Sequence, residues 1–132
     1  MATSPSIAAQ TGLSLSGGWI RFIIPSRPAA GYFTLTNTTD KPAILTSASS
    51  PACGSLMMHR SVRTGDSEQM DMVENVSVPA HGNLVFAPGG YHLMCMSPAA
   101  DVKVGAKVPV TLTFANGDSL TDNFPVRGVG GQ

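Results

Sequence analysis

The sequence predicts an all-β fold arranged as a two-sheet sandwich or a barrel. Alternating, β-branched and aromatic residues recur in short runs, and Gly, Pro, Asn and Asp separate these runs. A helix is not expected, because no stretch of about ten residues keeps a helical repeat free of Pro, Gly and β-branched residues. The expected strands span residues 13–24, 31–37, 43–49, 54–60, 83–87, 91–96, 108–115 and 119–126.

Turn signals separate several of these strands. The Asn-Gly-Asp segment at 116–118 favours a tight hairpin, because Asn and Gly tolerate a positive φ. The Pro-Gly-Gly segment at 88–90 and the Pro-Ala-His-Gly segment at 79–82 mark two further reversals. The stretch 64–75 contains Gly65 and acidic residues, so we expect an irregular excursion there that returns to the sandwich.

Composition excludes several classes of function. The formal net charge is zero and charged residues make up 12% of the chain, so no surface is expected for nucleic acid or for an anionic membrane. The longest apolar run, 19–25, is far shorter than the roughly 18 residues that span a bilayer. We expect one domain over 1–132, flexible ends at about 1–10 and 128–132, and a monomer.

The first residues leave the cellular compartment open. Met1-Ala2-Thr3-Ser4 lacks the basic start and apolar stretch of a secretory signal. Such a beginning fits a mature exported chain with an added initiator Met, and it equally fits a cytosolic protein.

Methionine and histidine positions carry the strongest chemical signal. His59, Met70, His92 and Met94 follow the pattern H-x10-M-x21-H-x-M, and six of the seven methionines lie between residues 57 and 96. Two imidazoles and two thioethers form a soft, nearly neutral donor set, which favours Cu(I) over magnesium, calcium and other hard ions. The pattern therefore predicts a copper site.

Strand geometry suggests where this site lies. Alternate residues of a strand share a face, so His92 and Met94 project side by side. We expect His59 at the end of another strand and Met70 in the irregular stretch, so that the donors meet at one end of the sandwich, near solvent. Met72 and Met96, two residues beyond Met70 and Met94, are expected to form a rim rather than to bind the ion directly.

The chain resembles the PCuAC-type periplasmic copper chaperones. The resemblance rests on the histidine–methionine spacing, on the segments 86–94 (FAPGGYHLM) and 30–37 (AGYFTLTN), and on the C-terminal segments 108–114 and 124–126. It implies a cupredoxin-like Greek-key β-sandwich that binds one Cu(I) and delivers it to the dinuclear copper site of cytochrome c oxidase in the periplasm. The ligands implied by position are His59, Met70, His92 and Met94.

Other functions remain as alternatives. A cupredoxin-like electron-transfer protein would use two His, a Cys thiolate and an axial Met, but Cys95 faces away from His92 and Met94. A copper-buffering or resistance protein would bind the ion without delivering it, whereas a structural sandwich would leave the spacing as coincidence. An enzyme is not expected, because no nucleophile elbow, phosphate-binding glycine loop or carboxylate pair is present in the sequence.

The two cysteines allow three interpretations, of which thiolates joining the copper site is the least favoured, because Cys95 faces away from His92 and Met94. Cys53 opens the strand that carries His59, and Cys95 lies in the strand of His92 and Met94. If these strands are neighbours, a disulfide would hold the ligand-bearing segments in register, and we expect this bridge in an exported protein. A pair of buried thiols is the alternative.

Overall fold

The computed structural model describes residues 9–10, 12–24, 28–65 and 67–128. These residues form eleven strands and the turns between them, which confirms the all-β class. The parts of the expected flexible ends at 1–8 and 129–132 lie outside the described residues. The strands are β1 Ala9–Gln10, β2 Leu13–Arg21, β3 Ala29–Asn37, β4 Ala43–Ser49, β5 Cys53–Thr64, β6 Ser67–Val73, β7 Val76–Val78, β8 Gly82–Phe86, β9 Tyr91–Pro98, β10 Lys107–Phe114 and β11 Ser119–Arg127.

The strands form a sandwich of two layers, which are joined along one side by pairing between a strand of each layer. One layer has the order β6-β5-β9-β8-β3-β2, with a further pairing of β9 to β3, and the other has the order β11-β10-β4-β7. A short parallel pairing of Val126 with Ile20 joins β11 to β2 and links the layers. The implied cupredoxin-like sandwich is therefore confirmed. Among the described residues, no helix is long and apolar enough to cross a membrane.

The core lies between the two layers and is built from the inward-facing residues of both. Phe33 of β3 stacks on Phe86 with ring centroids 4.3 Å apart, and it contacts Phe124 of the opposite layer at 6.1 Å. Burial of such side chains contributes about 1.5–3 kcal/mol each, which makes this packing the main stabilising term of the fold. The largest fully buried apolar side chains are Phe33, Phe86, Phe124, Ile20, Leu35, Leu45, Leu93, Leu112, Leu120, Val78 and Val110.

A bulge in β2 decides which residues of that strand face outward. The register with β3 shifts by one residue between Ser16 and Trp19, and Gly17 has a φ of 66° there. Leu13 and Leu15 face the core before the bulge, whereas Ile20 faces it afterwards. The extra residue thus turns Trp19 away from the core, which a regular strand would not do.

The expected hairpin between the last two strands is confirmed. β10 and β11 pair antiparallel up to Thr113 and Ser119, and Gly117 at the turn has a φ of 94°. The Asn116 side chain accepts a hydrogen bond from the Asp118 backbone N–H at 2.9 Å, which fixes the turn locally.

The stretch 64–75 is not the irregular excursion that its composition indicated. Residues Ser67–Val73 form β6, which pairs antiparallel with a β5 that continues to Thr64 rather than ending near residue 60. β6 has β5 as its partner on one side and lies at the edge of the sheet. An edge strand can lack an apolar core-facing row, and here the alternate positions 67, 69 and 71 are Ser, Gln and Asp.

The expected disulfide between Cys53 and Cys95 is present. Their Cα atoms are 5.3 Å apart and 42 residues separate them along the chain. Cys95 is buried among the core residues of β9, while Cys53 lies at the start of β5. The bridge therefore ties together the first residue of β5 and the middle of β9.

We predict that replacing both cysteines with Ala lowers the free energy of unfolding by about 2–4 kcal/mol, because the open chain gains the entropy of a loop of some forty residues. Urea unfolding of the variant and the oxidised wild type measures the difference. Thiol titration of the unfolded, unreduced wild type should detect no free thiol. Two free thiols per chain would contradict the bridge.

Candidate metal centre

The register between β5 and β9 brings three of the four expected donors together. The two strands pair antiparallel so that His59 lies directly opposite His92 and Met57 directly opposite Met94. Opposite residues of an antiparallel pair have Cβ atoms about 4.5–5.5 Å apart and share a face. Two imidazoles and two thioethers thus occupy neighbouring rows of one surface.

This surface is the outer face of the sheet. Met58 and Leu93, which alternate with these donors along β5 and β9, are buried in the core. The donors therefore face away from the core. The expected location at one end of the sandwich, with His59 at a strand end, is wrong because β5 extends five residues past His59 to Thr64.

The His92 ring is fixed with one nitrogen free to bind. Its Nδ1 lies 3.1 Å from the Gly90 carbonyl oxygen, which can accept only if Nδ1 carries the proton. In that tautomer Nε2 has its lone pair available, and this buried atom has no hydrogen-bond partner among the residues that the structure describes. A metal-binding histidine is commonly oriented in this way by a backbone carbonyl.

His59 presents a second unpartnered nitrogen beside the first. Its Nδ1 is buried and finds no hydrogen-bond partner in the described part of the chain, and its ring meets that of His92 edge to face with centroids 5.7 Å apart. Burial, followed by the proximity of His92, lowers the pKa of His59 below its usual value of 6.5. The ring is therefore neutral at pH 7, the state in which imidazole binds a metal.

A cavity of about 310 Å³ opens beside these residues on the outer face. His92, Met94, Pro88 and Gly89 all line it, and His92 is only 4% exposed despite its place on the outer face. The site is thus partly sheltered from water but still accessible from the surface.

Met70 lies on the adjacent strand. The structure describes the backbone of Met70 in β6, which pairs with Ser61 of β5. Ser61 follows His59 by two residues, so Met70 lies one row beyond the row of His59 and His92. Met72 occupies the position directly opposite His59 and is 63% exposed. β6 thus brings two methionine positions beside the histidine pair.

The neighbourhood offers no alternative set of hard ligands. In the part of the chain that the structure describes, three or more His, Cys, Asp or Glu side chains do not come together anywhere. Both cysteines are joined in the disulfide, and Cys95 lies on the core face. The imidazole and thioether groups of His59, His92 and Met94 are thus the soft donors that the described residues bring together on the outer face.

Comparison with known proteins identifies the family. The profile of the family described as "Putative lipoprotein LpqE-like" matches residues 13–126. The chain belongs to this LpqE-like family. It is 32% identical to "Putative lipoprotein Lxx21020" of Leifsonia xyli subsp. xyli, over 91% of this chain and 72% of that protein. It is 30% identical to "Uncharacterized protein RP573" of Rickettsia prowazekii, over 74% of this chain and 55% of that protein.

Solved structures share the sandwich. The copper-bound PCuAC domain from PmoF2 is 20% identical and superposes with a TM-score of 0.74 over 89% of this chain and 93% of that domain. Cu(I)-loaded DR1885 from Deinococcus radiodurans is 34% identical, with a TM-score of 0.68 over 84% of this chain and 75% of that protein. These similarities support the PCuAC-type resemblance of the LpqE-like protein.

Met57 is a donor position that the sequence pattern did not single out. It is half-buried and lies opposite Met94 in the LpqE-like protein. The sequence contains a mirrored signal for it, because Met57 precedes His59 by two residues and Met94 follows His92 by two. These two spacings place Met57 opposite Met94 only when β5 and β9 pair antiparallel with His59 opposite His92.

We predict that the metal-free LpqE-like protein loses stability as the pH falls. Because the pKa of His59 is lowered in the folded state, the unfolded chain binds more protons below about pH 6.5. The free energy of unfolding should therefore decrease from about pH 6.5 down through the folded-state pKa. Urea unfolding at several pH values measures the slope. His59→Gln should reduce it, and an unchanged slope in this variant would contradict the assignment.

Proposed function

We propose that this chain is a copper chaperone that binds one Cu(I) through His59, Met70, His92 and Met94. The observation that carries the proposal is the pair of unpartnered, buried imidazole nitrogens beside Met94 on one sheet face. A buried nitrogen without a partner is unfavourable in a folded protein unless a ligand satisfies it. An ion between His59 and His92 would satisfy both.

The donor chemistry supports copper in its reduced state. Thioethers are soft and weak donors that suit Cu(I) and contribute little to binding of Zn(II) or Mg(II). PmoF2 and DR1885, the structurally similar proteins, are described as copper-bound and Cu(I)-loaded. Their copper supports the same cargo here.

The location on the outer face suits transfer of the ion. A His2Met2 set leaves Cu(I) with its full positive charge, which is costly in an apolar core and tolerable near water. Met72 is largely exposed beside His59, so its sulfur can contact both the site and an approaching protein. Exchange of one thioether for another could then move copper stepwise to an acceptor.

The family resemblance and the disulfide support the proposed export and destination. Disulfides persist in oxidising compartments such as the periplasm, and the LpqE-like family and its Leifsonia relative carry lipoprotein names. These features support a periplasmic, non-enzymatic protein that delivers Cu(I) to the dinuclear copper site of cytochrome c oxidase. An electron-transfer role has less support, because the bridge occupies both thiols that a blue-copper site would need.

We predict that replacing Met70 and Met94 together with Ile weakens Cu(I) binding by more than about a hundredfold, because changes outside the ligand set already reduce metal affinity by 10–100-fold. Competition with a chromogenic Cu(I) chelator measures the affinity, and circular dichroism checks the fold. X-ray absorption of the wild type should show two nitrogen and two sulfur scatterers.

Matched variants make this assignment specific. His81→Gln removes an exposed histidine that pairs with Asp40 away from the site, and it should leave the affinity unchanged. Met72→Ile tests the rim and should have only a modest effect, as should Met96→Ile. Unchanged affinity in the Met70 and Met94 double variant would reject the ligand set. If Met57→Ile lowers the Cu(I) affinity more than Met70→Ile does, Met57 is the ligand in place of Met70. Three or more sulfur scatterers would contradict the assignment of Met72 and Met96 to the rim.

We predict that the Cu(I)-loaded protein transfers its ion to the metal-free soluble domain of the oxidase subunit that holds the dinuclear copper site. Spectroscopy of the acceptor after mixing and separation measures the transfer. A buffering protein would retain the ion when mixed with a stoichiometric acceptor. Retention of copper in the presence of excess acceptor would therefore favour the buffering alternative over the chaperone.

A further inference from the structure

A cluster of basic and aromatic residues adjoins the metal centre on the same outer face. The register continues from Met94 through Ala30 of β3 to Arg21 of β2. Two strand spacings, about 10 Å, therefore separate the Met94 and Arg21 backbones. Arg21 and Tyr32 line the 310 Å³ cavity that His92 and Met94 also line.

Arg21 is held in place by aromatic rings rather than by an acid. Its guanidinium carbon lies 5.5 Å from the centroid of the Trp19 ring and 5.6 Å from that of Tyr32. Its Nε is buried and has no hydrogen-bond partner among the described residues. Among the residues that the structure describes, neither Asp nor Glu forms an ion pair with Arg21.

A second guanidinium increases the positive charge at this place. Arg127 of β11 pairs in register with Arg21, and its guanidinium carbon lies 5.7 Å from the centroid of the Trp19 ring. Like charges at opposed positions of a sheet repel each other. Among the described residues neither guanidinium has an acidic partner, and an anion bound at the cavity that Arg21 lines would offset their repulsion.

The available donors favour a carboxylate. A guanidinium has a planar set of N–H groups that matches the two oxygens of a carboxylate, and the aromatic rings restrict its orientation. Burial raises the pKa of Tyr32, although Arg21 opposes this shift, so its hydroxyl remains protonated at neutral pH and can donate. A cavity of this size is at the lower end for small-molecule sites.

We propose that Arg21 and Tyr32 form a binding site for a small free carboxylate at the edge of the metal centre. The chemistry is that of an organic acid of two to four carbons, bound by the guanidinium and oriented by the tyrosine. The site itself is independent of copper. Its coupling to copper rests on the proposed function: a carboxylate would offset the repulsion between Arg21 and the Cu(I) cargo at the same cavity, so each should strengthen binding of the other.

Trp19 provides a direct reporter for the test. It is the single tryptophan of the chain and lies against Arg21, so binding at the guanidinium should change its fluorescence. We expect a saturable change when metal-free protein is titrated with acetate or succinate at constant ionic strength. Acetamide and succinamide, which have similar shapes and no charge, should produce none. An absent response to the acids, or an equal response to the amides, would overturn the proposal.

Variants assign the site to Arg21. Arg21→Gln should weaken carboxylate binding at least about tenfold, and Arg21→Lys should restore part of the loss because it keeps the charge without the planar fork. Arg60→Gln is the matched control, since Arg60 is an exposed arginine outside this cavity, and it should bind as the wild type does. Wild-type affinity in both Arg21 variants would overturn the assignment. Circular dichroism of each variant shows whether the fold is retained.

One further measurement tests the source of the carboxylate, and another tests whether copper strengthens its binding. The blocked amino acid N-acetylglutamate amide mimics an acidic side chain of a partner, and binding of this probe without binding of acetate or succinate would overturn the free-acid source. Repeating the titration on Cu(I)-loaded protein should give tighter carboxylate binding, and equal or weaker binding would overturn the coupling. Because the first titration uses metal-free protein, a failure of copper binding leaves its outcome intact.

Discussion

The antiparallel register between β5 and β9 is the constraint on which the site depends. A shift of one residue would turn His59 and Met57 towards the core and bring Met58 to the surface. The buried side chains of Met58 and Leu93 oppose such a shift, because it would expose them to water. The Cys53–Cys95 bridge acts in the same direction by joining the two strands covalently. Core packing and the disulfide thus position a surface feature that contributes little to stability itself.

Because the proposed donors lie on the outer face, a small domain could bind a cation without placing charge in its core. Neutral imidazoles and thioethers avoid burial of fixed charge, and the lowered pKa of His59 reflects the same partly desolvated environment. The Gly90 carbonyl orients the His92 ring, and Pro88 and Gly89 line the same cavity as His92. The turn that orients the ring thus lies directly before the strand that carries His92 and Met94.

The sequence was sufficient to predict the strands that have one face towards the core and the other towards solvent. β3 and β10 alternate between core and surface residues, and the observed bounds differ from the expected ones by at most two residues. β6 could not be found in this way, because it lies at the sheet edge and its sequence SEQMDMV has Ser, Gln and Asp at the alternate positions where a core-facing strand has apolar residues. The location of the site was consequently wrong as well, since His59 becomes a mid-strand residue only when β5 extends to pair with β6.

The sequence could not predict which residues come together through strand pairing, and the reason is physical. Met57 becomes equivalent to Met94 only through the register of β5 and β9, which alternation alone does not fix. Trp19 and Arg21 share the outer face with Met94 only because the bulge at Gly17 shifts the phase of β2 by one residue. Without that bulge, Ile20 would point outward and Arg21 towards the core. The same glycine therefore determines both the core residue at position 20 and the cation at position 21 that borders the candidate metal centre.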